Sequence, residues 1–260
     1  MRAKAFYSVN IEPYNACVTR KADSNRKHPR RTANRAVPAR PASTRRGGRS
    51  SPSRAETPYH HGALRDALLQ AAERVLERDG LAGLTLRAVA REAGVSHAAP
   101  THHFGDLTGL VSELAAIGFR QFNAAMASAC ASGAPPMQRM QARVRAYVGY
   151  AQAHPGMYGL MFRTERLDYS RPSLHEAAEA SFAGLAGAIG ASRQEQISDD
   201  ALTLDQAAAI VRAWSLVHGF TMLVLDGRLK DVLRRAPAGT SVEGLLEAMM
   251  KTTVIKPVAQ

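Results

Sequence analysis

From residue 64 onward apolar side chains recur every three or four positions, the period of helices that bury one face. Residues 64–79 place Leu64, Leu68, Ala71, Ala72, Val75 and Leu76 on one stripe, with Arg65, Asp66, Glu73, Arg74, Glu77 and Arg78 outside it, and Gly80 ends that helix. Thr85 then offers its hydroxyl to the orphan N–H groups of a second helix, in which Leu86, Val89, Ala90 and Ala93 share a face opposite Arg87, Arg91 and Glu92. Gly94 permits a sharp turn, because glycine takes positive φ at little steric cost. Ser96 is expected to cap a third helix. Its start, His97, Ala98, Ala99 and Pro100, is small enough to approach a surface closely, and Thr101, His102 and His103 are polar donors suited to phosphates or base edges. A proline this early forfeits only the first intrahelical bond. Two short helices across a tight turn place the second in a DNA major groove when they form a helix-turn-helix, although the same layout also occurs as plain packing.

The pattern continues without strands. A fourth helix is predicted over residues 107–126, with Leu110, Leu114, Ile117, Phe119 and Phe122, long enough to lead into a second domain. Further helices are expected at 137–153, from Pro172 to about residue 189, at 204–225 and at 242–252, with a short apolar segment at 157–162. No alternating strand pattern and no internal repeat is visible. The fold class is therefore all-α: a basic tail over residues 1–58, an N-terminal three-helix helix-turn-helix unit over 59–106, and a helical domain over 107–254.

Charge sharpens this picture through its distribution. The 260 residues carry a formal net charge of +12, which points to an anionic partner. Residues 1–58 hold 14 Lys and Arg against 3 Asp and Glu, whereas the remainder holds 20 against 19. That first segment, rich in Arg, Ser, Pro and Ala, cannot bury enough apolar surface to offset the entropy of ordering. It reads as a disordered tail aiding non-specific DNA binding. A transit peptide, an arm entering the minor groove and an over-long start remain open alternatives. No apolar run approaches the roughly 20 residues that span a bilayer, so no membrane partner is expected and the cytoplasm is the expected compartment. Cys17 and Cys130 suggest no disulfide framework, and Cys130 reads as structural.

Gly80, Thr85, Ala90, the run Ala93, Gly94, Val95 and Ser96, and then His103 and Phe104 together make residues 59–111 resemble the DNA-binding domain of the tetracycline-repressor (TetR) family of bacterial transcription regulators. The segment with Trp214, His218 and Gly219 resembles the Trp-His-Gly signature that one subset carries in its ligand-binding half. The resemblance implies a homodimer whose last two long helices build a four-helix interface, a palindromic operator in double-stranded DNA, and a small-molecule effector. The effector would move the two recognition helices out of register with successive grooves, and repression is the family default. Thr85, Arg87, Ser96, His97, Ala98, Ala99, Thr101, His102 and His103 are the expected DNA contacts. Where the family usually has Tyr and Lys, this chain has Thr101 and Leu107, which removes two phosphate contacts.

Candidate pocket residues are Phe119, Phe122, Tyr147, Met157, Tyr158, Met161, Phe162, Trp214 and His218, whose aromatic and soft side chains suit an apolar ligand. Helical spacing explains most of them equally as core, and His218 reads as pocket wall, proton acceptor or satisfied core histidine. His97, His102 and His103 lack cysteine or carboxylate partners at metal-ligand spacing, so no metal and no cofactor is expected. No nucleophile elbow, phosphate-binding glycine loop or HExxH motif occurs, which argues against an enzyme. The rival to a regulator is a non-catalytic basic DNA-binding scaffold with a helical dimerisation body. If the tail replaces the two missing phosphate contacts, a chain lacking residues 1–56 will bind its operator more weakly at physiological salt, with a shallower dependence on salt concentration. Equal affinity in filter binding across a salt series would refute that compensation.

Overall fold

The computed structural model describes residues 61–129, 133–198 and 201–252, so the tail and both cysteines lie outside the described residues. Among these residues the structure is helical throughout, without strands. The stripe read at 64–79 lies in α1, His61–Gly83, whose helical geometry is broken at Gly80 (φ 68°), where the expected stop falls. Buried Leu68, Ala71, Ala72, Val75 and Leu76 face inward. Helix α2 is Leu86–Ala93, capped by Thr85 Oγ1, which accepts from the Ala88 N–H at 3.1 Å. Gly94 closes it in the left-handed region (φ 68°), and the Val95 N–H returns to the Ala90 carbonyl at 3.0 Å.

Helix α3, Ala98–Phe104, starts differently from the expectation. The Ser96 carbonyl accepts from the Ala99 N–H at 3.0 Å, forming a turn ahead of the helix. The cap position therefore falls to His97, whose side chain makes no capping bond. Pro100 sits in the first turn, where its missing donor costs little, and packs inward with Phe104.

Helix α4, Leu107–Ser128, begins with Asp106 Oδ1 accepting from the Gly109 N–H at 2.7 Å. Its buried positions include Leu110, Leu114, Ala115, Phe119 and Phe122. Helices α5, Pro136–Ala153, α6, Pro155–Met161, and α7, Pro172–Arg193, each start with a proline whose absent N–H would have been an orphan there. A 3₁₀ turn, Thr164–Arg166, interrupts the loop between α6 and α7. Helix α8, Leu204–Leu225, opens with a capping box between Thr203 and Gln206. The short α9, Lys230–Arg235, stands where a plain loop was expected, and α10 is Val242–Thr252.

One hydrophobic cluster runs continuously from Leu68 of α1 through Phe104, Leu114 and Tyr158 to Leu246 of α10. A smaller cluster, Ala186, Ile189, Ala209 and Ile210, joins α7 to α8. Helix α8 corrects one expectation. At 22 residues it is long and apolar enough, by length and composition, to cross a membrane. Asp205, Gln206, Arg212 and His218 interrupt the run in the sequence without offsetting its average hydropathy.

Leu114 is fully buried in the large cluster. Leu114→Ala is expected to destabilise the fold by about 2 to 5 kcal/mol, through lost transfer energy and the cavity left behind. Urea unfolding monitored by far-ultraviolet circular dichroism checks this; a loss under about 1 kcal/mol would place the core elsewhere.

Candidate nucleic-acid interface and interior aromatic cluster

The α2–α3 unit divides its residues cleanly between core and solvent. Pro100 and Phe104, four positions apart, face inward, while Ser96, His97, Ala98, Thr101 and His102 are exposed and Ala99 and His103 are half-buried. Thr85 and Arg87, at the start of α2, are exposed as well. The nine sequence-nominated residues therefore include seven exposed ones, on two consecutive short helices and at their N-terminal ends. Small side chains at Ala98 and Ala99 keep this face shallow, so the α3 backbone can come close to a groove floor. His102 and His103 touch edge to face, with ring centroids 5.3 Å apart.

Charge around this unit is already partly assigned. Glu92 accepts from Arg74 Nε at 2.9 Å and from Arg78 Nη1 at 2.9 Å. These hydrogen bonds, that from Arg74 foremost, hold its carboxyl below the usual range. Arg65 is bound to Glu113 at 2.6 Å, its guanidinium 5.6 Å from the centre of the Phe104 ring. Three arginines of the polar face read on α1 thus fasten it to α2 and α4. Nothing in the helical period marks Glu92 and Glu113 as their counter-ions, because both pairings cross between helices.

Far along the chain, the nominated interior residues do meet. Met157, Tyr158 and Met161 of α6 are fully buried, and Phe119, Phe122 and Tyr147 are each at most 9% exposed. Phe122 packs edge-on to Tyr147, and Phe162 lies 4.7 Å from the His218 ring and 6.4 Å from Trp214, centroid to centroid. Trp214 is 42% exposed, at the margin of the cluster. The polar atoms converge as well. Tyr158 Oη lies 2.7 Å and Tyr147 Oη 3.1 Å from His218 Nδ1, and the two hydroxyls are 3.1 Å apart. Burial pushes the Tyr147 phenol up to about 12 and raises Tyr158 further, while the same desolvation lowers His218. All three are therefore neutral at pH 7.

The chain and its fold have counterparts among known proteins. Residues 68–114 match the family model described as bacterial regulatory proteins, tetR family, and residues 140–250 match that for the tetracyclin repressor-like C-terminal domain. A protein of unknown function from Rhodococcus sp. RHA1 is 34% identical, covering 76% of this chain and 96% of its own, with a TM-score of 0.60. The chain belongs to the TetR family. Two regulators assigned to that family share the fold. One from Shewanella sp. PV-4 has 18% identity and a TM-score of 0.53, covering 73% of this chain and 95% of its own. The other, PfmR from Thermus thermophilus, has 16% identity and a TM-score of 0.50, covering 71% and 94%. No curated protein matches the chain. As a TetR-family member it is a DNA-binding transcriptional regulator and not an enzyme. Among the described residues no group of three or more His, Cys, Asp or Glu could hold a metal ion.

Sequence reasoning passed over Glu77 and Arg171, two contacts that tie the TetR-like C-terminal helices to α1 and α3. Glu77 of α1 accepts the Met157 N–H at the start of α6, at 3.1 Å. Arg171 Nη2 donates to the Phe104 carbonyl at the end of α3, at 3.2 Å. Pro172 was the available signal for the second, since it marks a helix start and puts Arg171 at the cap.

His218 carries a pH dependence of definite sign. Unfolded, it takes up a proton near pH 6.5; folded, burial lowers that value. The unfolded state then binds more protons between the two values, so the histidine's contribution is complete above about pH 6.5 and declines as pH falls toward the folded pKa. The difference in melting temperature between the native chain and His218→Gln, followed from about pH 7.5 to 5, should narrow as the pH drops. Parallel profiles would mean that His218 titrates alike in both states.

Proposed function

We propose that the chain is a repressor that holds a palindromic operator as a homodimer and leaves it when a small molecule enters the interior of the C-terminal helices. Residues 59–106 form the DNA-binding unit on this reading and residues 107–254 the effector and dimerisation unit, working in the cytoplasm. The observation that carries it is the shallow exposed face of α3, with Ala98, Thr101 and His102 outward and Pro100 and Phe104 inward. The N-terminal residues of such a helix reach base edges, and its polar neighbours bond phosphates. Arg87 and Thr85 then bear on the backbone beside the groove.

Dimerisation is supported by α8. Leu204, Val211, Trp214, Met222 and Leu223 are 38–87% exposed, an uncommon surface for large apolar side chains on one helix. Small Ala208 and Gly219 lie between them and let a partner helix approach. The effector site is supported by the convergence of Tyr147, Tyr158 and His218 within an apolar shell. With Nδ1 as acceptor, two hydroxyl protons serve three mutual contacts, since each hydroxyl has one proton to give. A ligand with an apolar body and one polar atom could complete that set, displacing Phe162 or Met161. Such a ligand releases DNA only if it binds the released state more tightly.

The rival scaffold reading predicts uniform coating of DNA. Selection of genomic fragments by the purified full-length chain, followed by footprinting, should instead reveal a discrete site of two half-sites about 34 Å apart. Ala98→Glu should abolish that footprint while leaving the melting temperature unchanged, because the carboxylate would meet the groove and its phosphates. Uniform protection, or an unchanged footprint in Ala98→Glu, would overturn the assignment.

A further inference from the structure

The segment from α6 through the loop to Arg171 touches the DNA-binding helices at both of its ends. At its start, the Met157 N–H is held by Glu77 of α1, and Gly156 lies so close that an added Cβ would meet the Leu76 carbonyl at 3.0 Å. At its end, Arg171 reaches the Phe104 carbonyl of α3. Between these points lie Tyr158, Met161 and Phe162, members of the interior cluster. The loop is also pinned to α4, where buried Ser112 Oγ accepts the Asp168 N–H at 2.9 Å.

Arg171 is held without being satisfied. Its Nη1 lies 3.6 Å from Glu113 Oε1, and Glu113 is already bonded to Arg65 at 2.6 Å. Its Nε is buried with no hydrogen-bond partner, 3.6 Å from Asp168 Oδ2. Two carboxylates thus stand at equal distance, one on α4 and one on the loop itself, and neither is within hydrogen-bond reach. The strongest contact is the one to the α3 terminus, where orphan carbonyls and the helix dipole favour a cation. The junction is tight: a Cβ on Gly109 would meet the Phe104 carbonyl at 2.0 Å and Arg171 Nη2 at 2.5 Å.

We propose that Arg171 is a positioning residue for DNA recognition, clasping the end of the recognition helix from the loop that follows α6. The clasp is one of two close endpoints. A rearrangement within the loop that swings Arg171 Nε onto Asp168 would withdraw Nη2 from Phe104 and free α3 to tilt. Displacement of Phe162 by a bound molecule would move that loop directly, a step that rests on the effector reading above. The positioning role itself rests only on the α3 contact.

The test uses full-length protein, its selected operator duplex, and Arg171→Gln and Arg171→Lys. Arg171→Gln is expected to weaken operator binding about tenfold, the loss of one charge-assisted bond, with Arg171→Lys between it and the native chain. The slope of log affinity on log salt should stay unchanged, because Arg171 touches no phosphate; a slope lower by about one would instead make it a direct DNA contact. Trp214, the only tryptophan, packs against Phe162 and reports the other end of the loop. By reciprocity, operator addition should change its fluorescence in the native chain and leave it nearly unchanged in Arg171→Gln. Native operator affinity in both variants, or an undiminished fluorescence change in Arg171→Gln, overturns the proposal. Absence of any discrete operator for the native chain would refute the functional reading instead. Arg171→Lys guards against misfolding, since it keeps the cation and most of the side-chain volume.

Discussion

A helix of seven residues cannot hold its own shape in water, where isolated helices need about 12 to 15 residues to be even marginal. Everything about α3 follows from that shortage. Its form is imposed by burial of Pro100 and Phe104, by the Gly94 turn before it and by the Gly105 N–H bonding back to Thr101 at 2.9 Å after it. Phe104 belongs to the same cluster as Leu68, Leu110 and Leu114, so the exposed face depends on packing against α1 and α4. A DNA reader built this way is oriented by its neighbours. Whatever moves α4 or the loop before α7 moves the reader too.

The same constraint explains where the charges went. Arginines on α1 would be natural phosphate contacts if they were unengaged, yet Arg74 and Arg78 share Glu92, and Arg65 is bound to Glu113. Such partly exposed pairs contribute little stability singly, but they fix the angles between helices. Fewer unpaired arginines are then left on α1, and Thr101 and Leu107 stand where the resemblance implies two further phosphate contacts. On the proposed reading, the 14 basic residues of the first 58 add the electrostatic attraction that a body of nearly balanced charge lacks.

How much of this was legible in the sequence depends on the range of the interaction. Helices α2, α8 and α10 follow from local periodicity and capping, and the ends of the last two match the pattern, because Thr203 and Ser241 supply hydroxyls to their first turns. Thr85 as a cap is equally local. Ser96 misleads for a subtle reason: serine is a good capping residue, but here its carbonyl is taken into a turn and His97 occupies the cap position. Helix α9 escapes because six residues rich in Lys, Asp and Arg show no apolar period. Periodicity and residue type suffice to nominate the nine side chains of the aromatic cluster and its margin, but not the hydroxyl–imidazole triangle among them. It joins α5, α6 and α8 across 60 and 71 residues of sequence, and no spacing rule reaches that far. Arg171 and Glu77 are hidden for the same reason.

That triangle raises the question of why a regulator would keep it. An apolar core of the same volume would be easier to stabilise, since each buried hydroxyl must find a partner or forfeit its hydration. Tyr147, Tyr158 and His218 instead partner one another through three contacts of 2.7 to 3.1 Å. Replacing the histidine by a leucine would take an acceptor from two phenols at once, whereas replacing all three would cost little. The three groups therefore depend on one another, and their polarity has a directional consequence. A polar atom arriving from outside would meet two hydroxyls and a ring nitrogen within 3.1 Å of each other and could exchange hydrogen bonds with them, while an apolar intruder would find only crowding. On the proposed effector reading, polarity would then be recognised by the hydroxyl–imidazole set and shape by the apolar shell around it.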